Sequence, residues 1–424
     1  GSREWDFAGG DALSLMASLG ISHSSQILDD ANVKTMNKQG DIKNNFDYDS
    51  FTSRLNLAGL LSLGYSFRES DNLSYTFLYA RNAEDEYRNR SGFDSEGNDL
   101  LGSNSVFHAY SLLNNQLAGH HDFAGRWTLD WAASYGMTRS DEPDRRQVMF
   151  RRDPETNEPT RLFLLNQQET MRYFGELEED ELVGDVRSSY RWNDNDLVRF
   201  GAAYKNKKRD FRSANFYYNL DNLDADITTI YDTDGYLNYA NVQNGSIVVD
   251  RNMQARNSYQ ATHDILAGFA EIELHPWTSW MVNVGVRVEN SRQSVDYYTD
   301  GGTPRTAELN KTDFFPALNV KYDLTPEQSF RFSASRTVPR PAFVEMAPFL
   351  YRPSYGSTSL RGNEEIQNGY NYNVDLRYDF FPKNSNDMFS ATLYFKYLQD
   401  PIERIQQAEG GDAVHSFRNA ENGI

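Results

Sequence analysis

The sequence predicts an all-β protein, a transmembrane antiparallel up-and-down β-barrel with short periplasmic turns and long extracellular loops. Three observations carry that prediction. Apolar and polar residues alternate with a period of two over many segments, and the links between those segments are short and long in turn. No apolar run approaches the ~20 residues of a spanning helix.

Residues 370–380 show the alternation most plainly. Tyr370, Tyr372, Val374, Leu376, Tyr378 and Phe380 take one face of an extended strand, and Asn371, Asn373, Asp375, Arg377 and Asp379 take the other. At about 3.3 Å per residue this run is roughly 35 Å long, enough to cross a bilayer at the tilt of a transmembrane strand. Equally strict segments lie at 126–137, 198–205, 281–289 and 389–397. Weaker ones lie at 12–22, 55–67, 73–80, 107–121, 183–192, 265–274, 316–324, 329–336 and 413–424, which makes about fourteen strands and no convincing amphipathic helix.

Short polar turns sit at 69–72, 122–125, 193–196, 275–277, 325–328 and 382–387. Long segments lie between them at 24–53, 88–105, 139–178, 211–260, 293–312, 339–368 and 399–412. All tight links therefore fall at one end of the sheet, the loop asymmetry of an outer-membrane barrel, which a soluble sandwich or propeller has no reason to adopt.

Composition fits this reading. Mean hydropathy is −0.71, as expected when only alternate residues meet lipid and the loops are wet. Aromatic residues make up 14% of the chain, and Phe67, Phe123, Trp127, Trp192, Trp277, Trp280, Phe380 and Phe381 flank the short turns, where an interfacial girdle would stand. The net charge of −19 disfavours nucleic acid, and the absence of cysteine excludes a disulfide framework and thiol catalysis. No signal peptide is visible, and the ragged ends suggest a segment of a longer polypeptide, so residues 1–424 are expected to be part of a barrel domain.

From Ser333 to Ile405 the chain resembles the barrel of TonB-dependent outer-membrane receptors of Bacteroidota-like, Gram-negative bacteria. The residues that carry this are Ser335-Arg-Thr-Val-Pro-Arg-Pro-Ala-Phe343, Leu360-Arg-Gly-Asn-Glu-Glu-Ile366 and Asn373-Val-Asp-Leu-Arg-Tyr-Asp-Phe-Phe-Pro382. Asp400-Pro-Ile-Glu403 and Asn419-Ala-Glu-Asn-Gly423 extend it. The resemblance implies a 22-stranded barrel, a plug domain inside it and energy drawn through TonB. The lumen then carries the plug's docking charges: Arg187, Arg199, Lys205, Glu271, Glu273, Arg287, Lys321, Asp375 and Arg377. Implied partners are outer-membrane lipid, the plug and the TonB complex, with room for a surface lipoprotein.

Candidate ligand contacts are Tyr351, Arg352 and Tyr355, in the loop opened by Pro339-Arg340-Pro341, and Tyr217 and Tyr218, since aromatic rings and Arg stack on sugars, siderophore rings or peptides. Pro339 to Pro341 also read structurally, as a strand exit that folds the loop over the mouth. His120 and His121 point to opposite strand faces and cannot readily share a metal. Residues 94–99 and 232–235 look faintly like calcium loops but read better as turns. Glu271 and Glu273 share a face that a barrel fills with polar groups, so lumen outranks acid–base catalysis. No cofactor and no metal are expected. The functional expectation is an active-transport receptor for a scarce siderophore, vitamin, glycan or peptide; the alternative is a passive channel or a structural barrel subunit of an envelope complex.

Overall fold

A computed structural model describes the chain apart from residues 8, 38–39, 69, 95, 153–154, 156–158, 163–169, 220–232, 253–256, 300, 349, 352–358, 384, 410–411 and 424. The elements in chain order are β1 (Ser2–Asp6), β2 (Ala12–Met36), β3 (Ile42–Phe67), β4 (Asp71–Phe93), β5 (Asp99–Phe123), β6 (Trp127–Arg152), β7 (Pro159–Leu162), β8 (Met171–Arg191) and β9 (Leu197–Asn219). Then come α1 (Thr233–Tyr236), α2 (Tyr239–Gln243), β10 (Val248–Asn252), β11 (Ser258–Trp277), β12 (Trp280–Tyr298), β13 (Pro304–Thr325), β14 (Gln328–Thr337) and α3 (Phe343–Met346). The last are β15 (Leu350–Tyr351), β16 (Ser359–Arg361), β17 (Tyr370–Phe380), β18 (Phe389–Gln399), β19 (Ile402–Glu409) and β20 (Asp412–Asn419).

One antiparallel sheet runs β1-β2-β3-β4-β5-β6-β8-β9-β11-β12-β13-β14-β17-β18, with β7 added to β6 and β10 to β9. A second sheet of four, β15-β16-β20-β19, contains the parallel pair β16 and β20. Among the described residues β1 and β18 share no ladder, but the β19 hairpin reaches the other end of the sheet, where the Gln406 side-chain amide donates to the Met36 carbonyl at 2.8 Å.

The register sorts side chains as the alternation requires. On β12 and β17 the apolar row faces out, with Val286 43% and Leu376 45% exposed. The polar row faces in, with Glu289 8% and Asp379 0% exposed. A continuous exposed apolar surface of this size is tolerable only against lipid. The upper limit of this band can be read from the outward rows. On β6 the row passes from Met137 to Arg139, on β11 from Leu266 to Asp264, on β12 from Val288 to Asn290 and on β13 from Phe314 to Thr312. Asn206 pairs with Asp264, Asp264 with Arg292 and Asn290 with Thr312, so from β9 to β13 the change falls at one level of the wall. Tyr204 donates its hydroxyl to Asp264 at 2.9 Å along this edge. Below it the band is about ten residues deep, the length of a tilted transmembrane strand.

The lower limit is a belt of rings beside the short turns. Trp127 lies 4.6 Å from Tyr190, Trp280 4.6 Å from Tyr322 and Phe330 5.0 Å from Tyr378, centroid to centroid. Rings with a polar edge suit the boundary between headgroups and hydrocarbon.

Two expectations are corrected. Much of what reads as long loops is strand: β2 continues to Met36, β3 begins at Ile42, and β4 and β5 run through 88–105. Above the lipid both faces meet water or other parts of the chain, so the period-two pattern fades although the backbone ladder goes on. The segment 413–424 is not a barrel strand either. Its residues up to Asn419 form β20 of the small sheet, where Val414 and Phe417 are buried within the protein.

The band makes a quantitative prediction. Val284→Arg, on the outward row within the band, should lower folding stability in lipid vesicles by about 2–4 kcal/mol, whereas Thr312→Arg, above the band, should cost less than about 1 kcal/mol. Denaturant titration of vesicle-inserted protein measures both; equal costs would contradict the assigned depth.

Candidate functional site

Two of the stretches that carry the family resemblance, 335–343 and 360–366, converge with Asn419 on one body inside the mouth, above the lipid band, while 373–380 lies in β17 of the wall. β14 ends at Thr337, and Pro339 and Pro341 take the chain out of the ladder. Arg340 then turns to the inner wall, where its Nη2 donates to Glu289 Oε2 at 2.6 Å, while Arg287 Nε donates to Oε1 of the same carboxylate at 2.6 Å. Gln293 Nε2 donates to the Pro341 carbonyl at 2.8 Å. These contacts hold α3 against the wall, and its first turn is closed by Glu345, whose carboxylate accepts the Ala342 N–H at 2.8 Å.

Phe343, Met346 and Ala347 are buried there with Ile366 and Phe417, against Tyr259 and Ala261 of β11, Val295 and Tyr297 of β12, and Ala307 and Leu309 of β13. This is the largest buried apolar cluster among the described residues. The Arg209 guanidinium stands 5.1 Å over the Phe343 ring, and the His263 ring approaches it edge-on at 6.4 Å.

The Arg-Gly-Asn stretch closes the same knot. A Cβ on Gly362 would lie 2.1 Å from the Ala347 carbonyl oxygen, so only glycine lets the two backbones meet. Next to it the Asn363 N–H donates to the Glu345 carbonyl at 2.7 Å and its side-chain amide to the Phe417 carbonyl at 2.9 Å. Asn419 bonds both ways with Gln367, accepting its N–H at 2.8 Å and donating to its carbonyl at 2.9 Å.

Under the knot the inner wall is a mosaic of paired charges. Glu179 meets Lys207 at 2.8 Å and Arg209 at 2.5 Å, and Glu181 meets Lys205 at 2.7 Å. Lower down, Arg199 meets Glu271 at 2.7 Å and Glu273 at 3.3 Å, and Lys321 meets Asp323 at 2.9 Å. Ser333 donates to Asp375 at 3.1 Å, and Arg377 meets Asp379 at 2.7 Å. By register, Arg187, Arg199, Lys205, Glu271, Glu273, Arg287, Lys321, Asp375 and Arg377 all lie on this inner face.

The candidate ligand contacts fare differently. Arg352 and Tyr355, and the side chain of Tyr351, lie outside the described residues. Tyr217 and Tyr218 occupy opposite faces of β9. Tyr217 shares the inward face with Phe211 and Ser213, and Tyr218 the outward face with Phe216. His120 and His121 likewise split: His120 Nδ1 lies 2.6 Å from Asp130 Oδ1, and His121 Nε2 accepts from the Trp131 indole at 3.2 Å. Asp94 spends its oxygens on its own turn, accepting from Asn98 N at 2.9 Å and Glu96 N at 3.0 Å. Asp232 lies outside the described residues, and Thr233–Tyr236 form the single turn α1.

Residues 213–423 match the family described as the outer membrane protein beta-barrel family. The matched segment is just under half of this chain, and the protein is an outer-membrane β-barrel. The resemblance to TonB-dependent receptor barrels, read from Ser333 to Ile405, lies within the matched segment. Among solved structures the fold is similar to the copper transporter OprC, with a TM-score of 0.52 and 11% identity over 99% of this chain and 55% of that one. It is also similar to the Serratia marcescens hemophore receptor HasR, solved as a double mutant with its hemophore HasA and heme. There the TM-score is 0.50 and the identity 9%, over 95% of this chain and 58% of that one. The outer-membrane barrel described here thus spans little more than half the length of either. No curated protein matches it.

Sequence reasoning missed the knot's core and the upper inner wall of β3 to β6, because both fall where the strand pattern fades. The knot is testable. Burial, with Arg340, Lys205 and Lys207 nearby, pushes the His263 imidazole down to about 4. An opened knot returns it to its ordinary value near 6.5. The open form therefore takes up the proton first, and knot stability, complete above about pH 6.5, declines as pH falls toward 4. In the cysteine-free chain, Ile366→Cys should be alkylated faster at pH 4.5 than at pH 7, relative to a free thiol peptide at each pH. Adding Phe343→Ala, a change that typically costs about 3–5 kcal/mol in a core, should raise the rate at least tenfold at pH 7. Equal rates would mean that the loop is not seated on the wall.

Proposed function

We propose that this outer-membrane barrel is the channel of an active-transport receptor. Extracellular strands and loops capture a scarce ligand, a plug domain closes the lumen, and TonB supplies the energy that moves the plug. The observation that carries this is the knot. A passive pore gains from an open mouth, whereas here a loop with a buried apolar core and its own ion pairs is folded into it. Paired lumenal charges support the same reading, since they offer a polar plug a surface without a large net field.

The rival reading is a passive channel or a structural barrel subunit. It needs no energy coupling, and that difference decides between them. Cells carrying the full protein should accumulate its ligand only while TonB is present and the inner membrane is energised. The purified full protein in planar bilayers should show no steady open conductance. Uptake that persists without TonB, together with a constant open pore, would favour the channel.

A further inference from the structure

The knot covers the inner face of β11 to β13, but the inner wall of β3 to β6 carries a patch of another kind. Register places Asn56, Asn82 and Tyr110 side by side, with Arg54, Glu84 and His108 in the row above and Leu112 in the row below. Tyr110 is 48% and Leu112 38% exposed, although both point inward, and below them Ala80, Leu78 and Leu60 continue an apolar strip on the same face. Inward apolar surface of this kind is unfavourable in water and calls for a ligand with an apolar face.

The polar groups around Tyr110 define the rest of that ligand. Asn82 donates one amide hydrogen to Asn56 Oδ1 at 2.7 Å and is itself exposed, leaving its carbonyl and second hydrogen toward solvent. Arg54 Nε and Glu84 Oε2 meet at 2.5 Å and cancel each other's charge. His108 is held by Ser140 Oγ, 2.8 Å from Nε2, and by the Tyr110 hydroxyl, 3.1 Å from Nδ1, with the two rings 4.1 Å apart. Burial lowers its proton affinity, so it stays neutral at pH 7. The patch thus joins an apolar ring, an amide and a balanced ion pair, with no net charge.

We propose that this patch is a ligand subsite for a neutral, polyhydroxylated ring, the face of a sugar, which stacks on Tyr110 while Asn82, Arg54 and Glu84 bond its hydroxyls. An aromatic face attracts the slightly positive C–H face of such a ring, and amide and paired charged groups can both donate to and accept from hydroxyls. His108 acts as a positioning residue that sets the tilt of the Tyr110 ring. The proposal rests on the receptor reading and names the ligand class for it.

The test uses the full protein in detergent with neutral oligosaccharides of glucose, galactose, mannose and xylose, followed by saturation-transfer NMR and calorimetry. At least one series should bind, Tyr110→Ala should weaken it at least tenfold, and Tyr110→Phe, which keeps the ring, should stay within about threefold. Asn82→Leu should weaken it severalfold, with thermal unfolding unchanged in all three variants. Absence of binding by every series, or equal binding by Tyr110→Ala, overturns the subsite. An anionic ferric tricatecholate is titrated in parallel. If it binds wild type and Tyr110→Ala alike while no sugar binds, the subsite is wrong and the receptor reading survives. TonB-independent uptake would instead remove the receptor reading on its own.

Discussion

Hydrocarbon offers no partner to a backbone N–H or C=O, and this molecule is arranged around that fact. Each strand from β3 to β17 in the band gives its backbone groups to the strands beside it, which leaves only side chains to face lipid. The alternation follows directly, because a strand has two faces and here they meet two solvents. At the level marked by Asn206, Asp264, Asn290 and Thr312 the outer solvent changes to water, and the outward rows change with it. The ladders do not stop there. The chain keeps pairing well above the membrane and raises a polar rim whose interior the knot partly fills.

The knot gives the sequence resemblance a physical meaning. Arg340, Phe343, Gly362, Asn363 and Asn419 are scattered over eighty residues, yet each makes a contact that another of the set requires. Arg340 anchors the chain to Glu289, Phe343 supplies the buried ring, Gly362 lets the backbone close on Ala347, and Asn363 ties in β20 through Phe417. What reads in sequence as a signature is in space one packing unit. It is seated on residues of β11, β12 and β13 that carry no signature of their own.

This explains what was legible. Where lipid lies on one side, as along Val282 to Glu289, the pattern is strict enough to fix strand, face and register. Above the band, β2 beyond Ser22 and β3 before Leu55 look like loop, because polar His23, Ser25, Ser53 and Asp49 interrupt Ile27 and Phe51 on the outward face, and the inward face is polar too. The lumenal charges were legible from alternation alone. The inward apolar residues were not: Tyr110 and Leu112 sit in a stretch where neither face is uniformly apolar. Tyr217 and Tyr218 looked like one aromatic pair, yet adjacency on a strand separates them to opposite sides.

The central claim is a wall between oil and water, and the absence of cysteine makes it directly measurable. Single cysteines placed at each position from 281 to 293 of β12 can carry a nitroxide in lipid vesicles, with oxygen and a water-soluble nickel chelate as competing relaxants. The account predicts that 282, 284, 286 and 288 meet oxygen and exclude nickel, that 283, 285, 287 and 289 do the reverse, and that 290 and 292 switch to nickel. Nickel access that is uniform along the strand, or an oxygen preference that continues past 290, would contradict it.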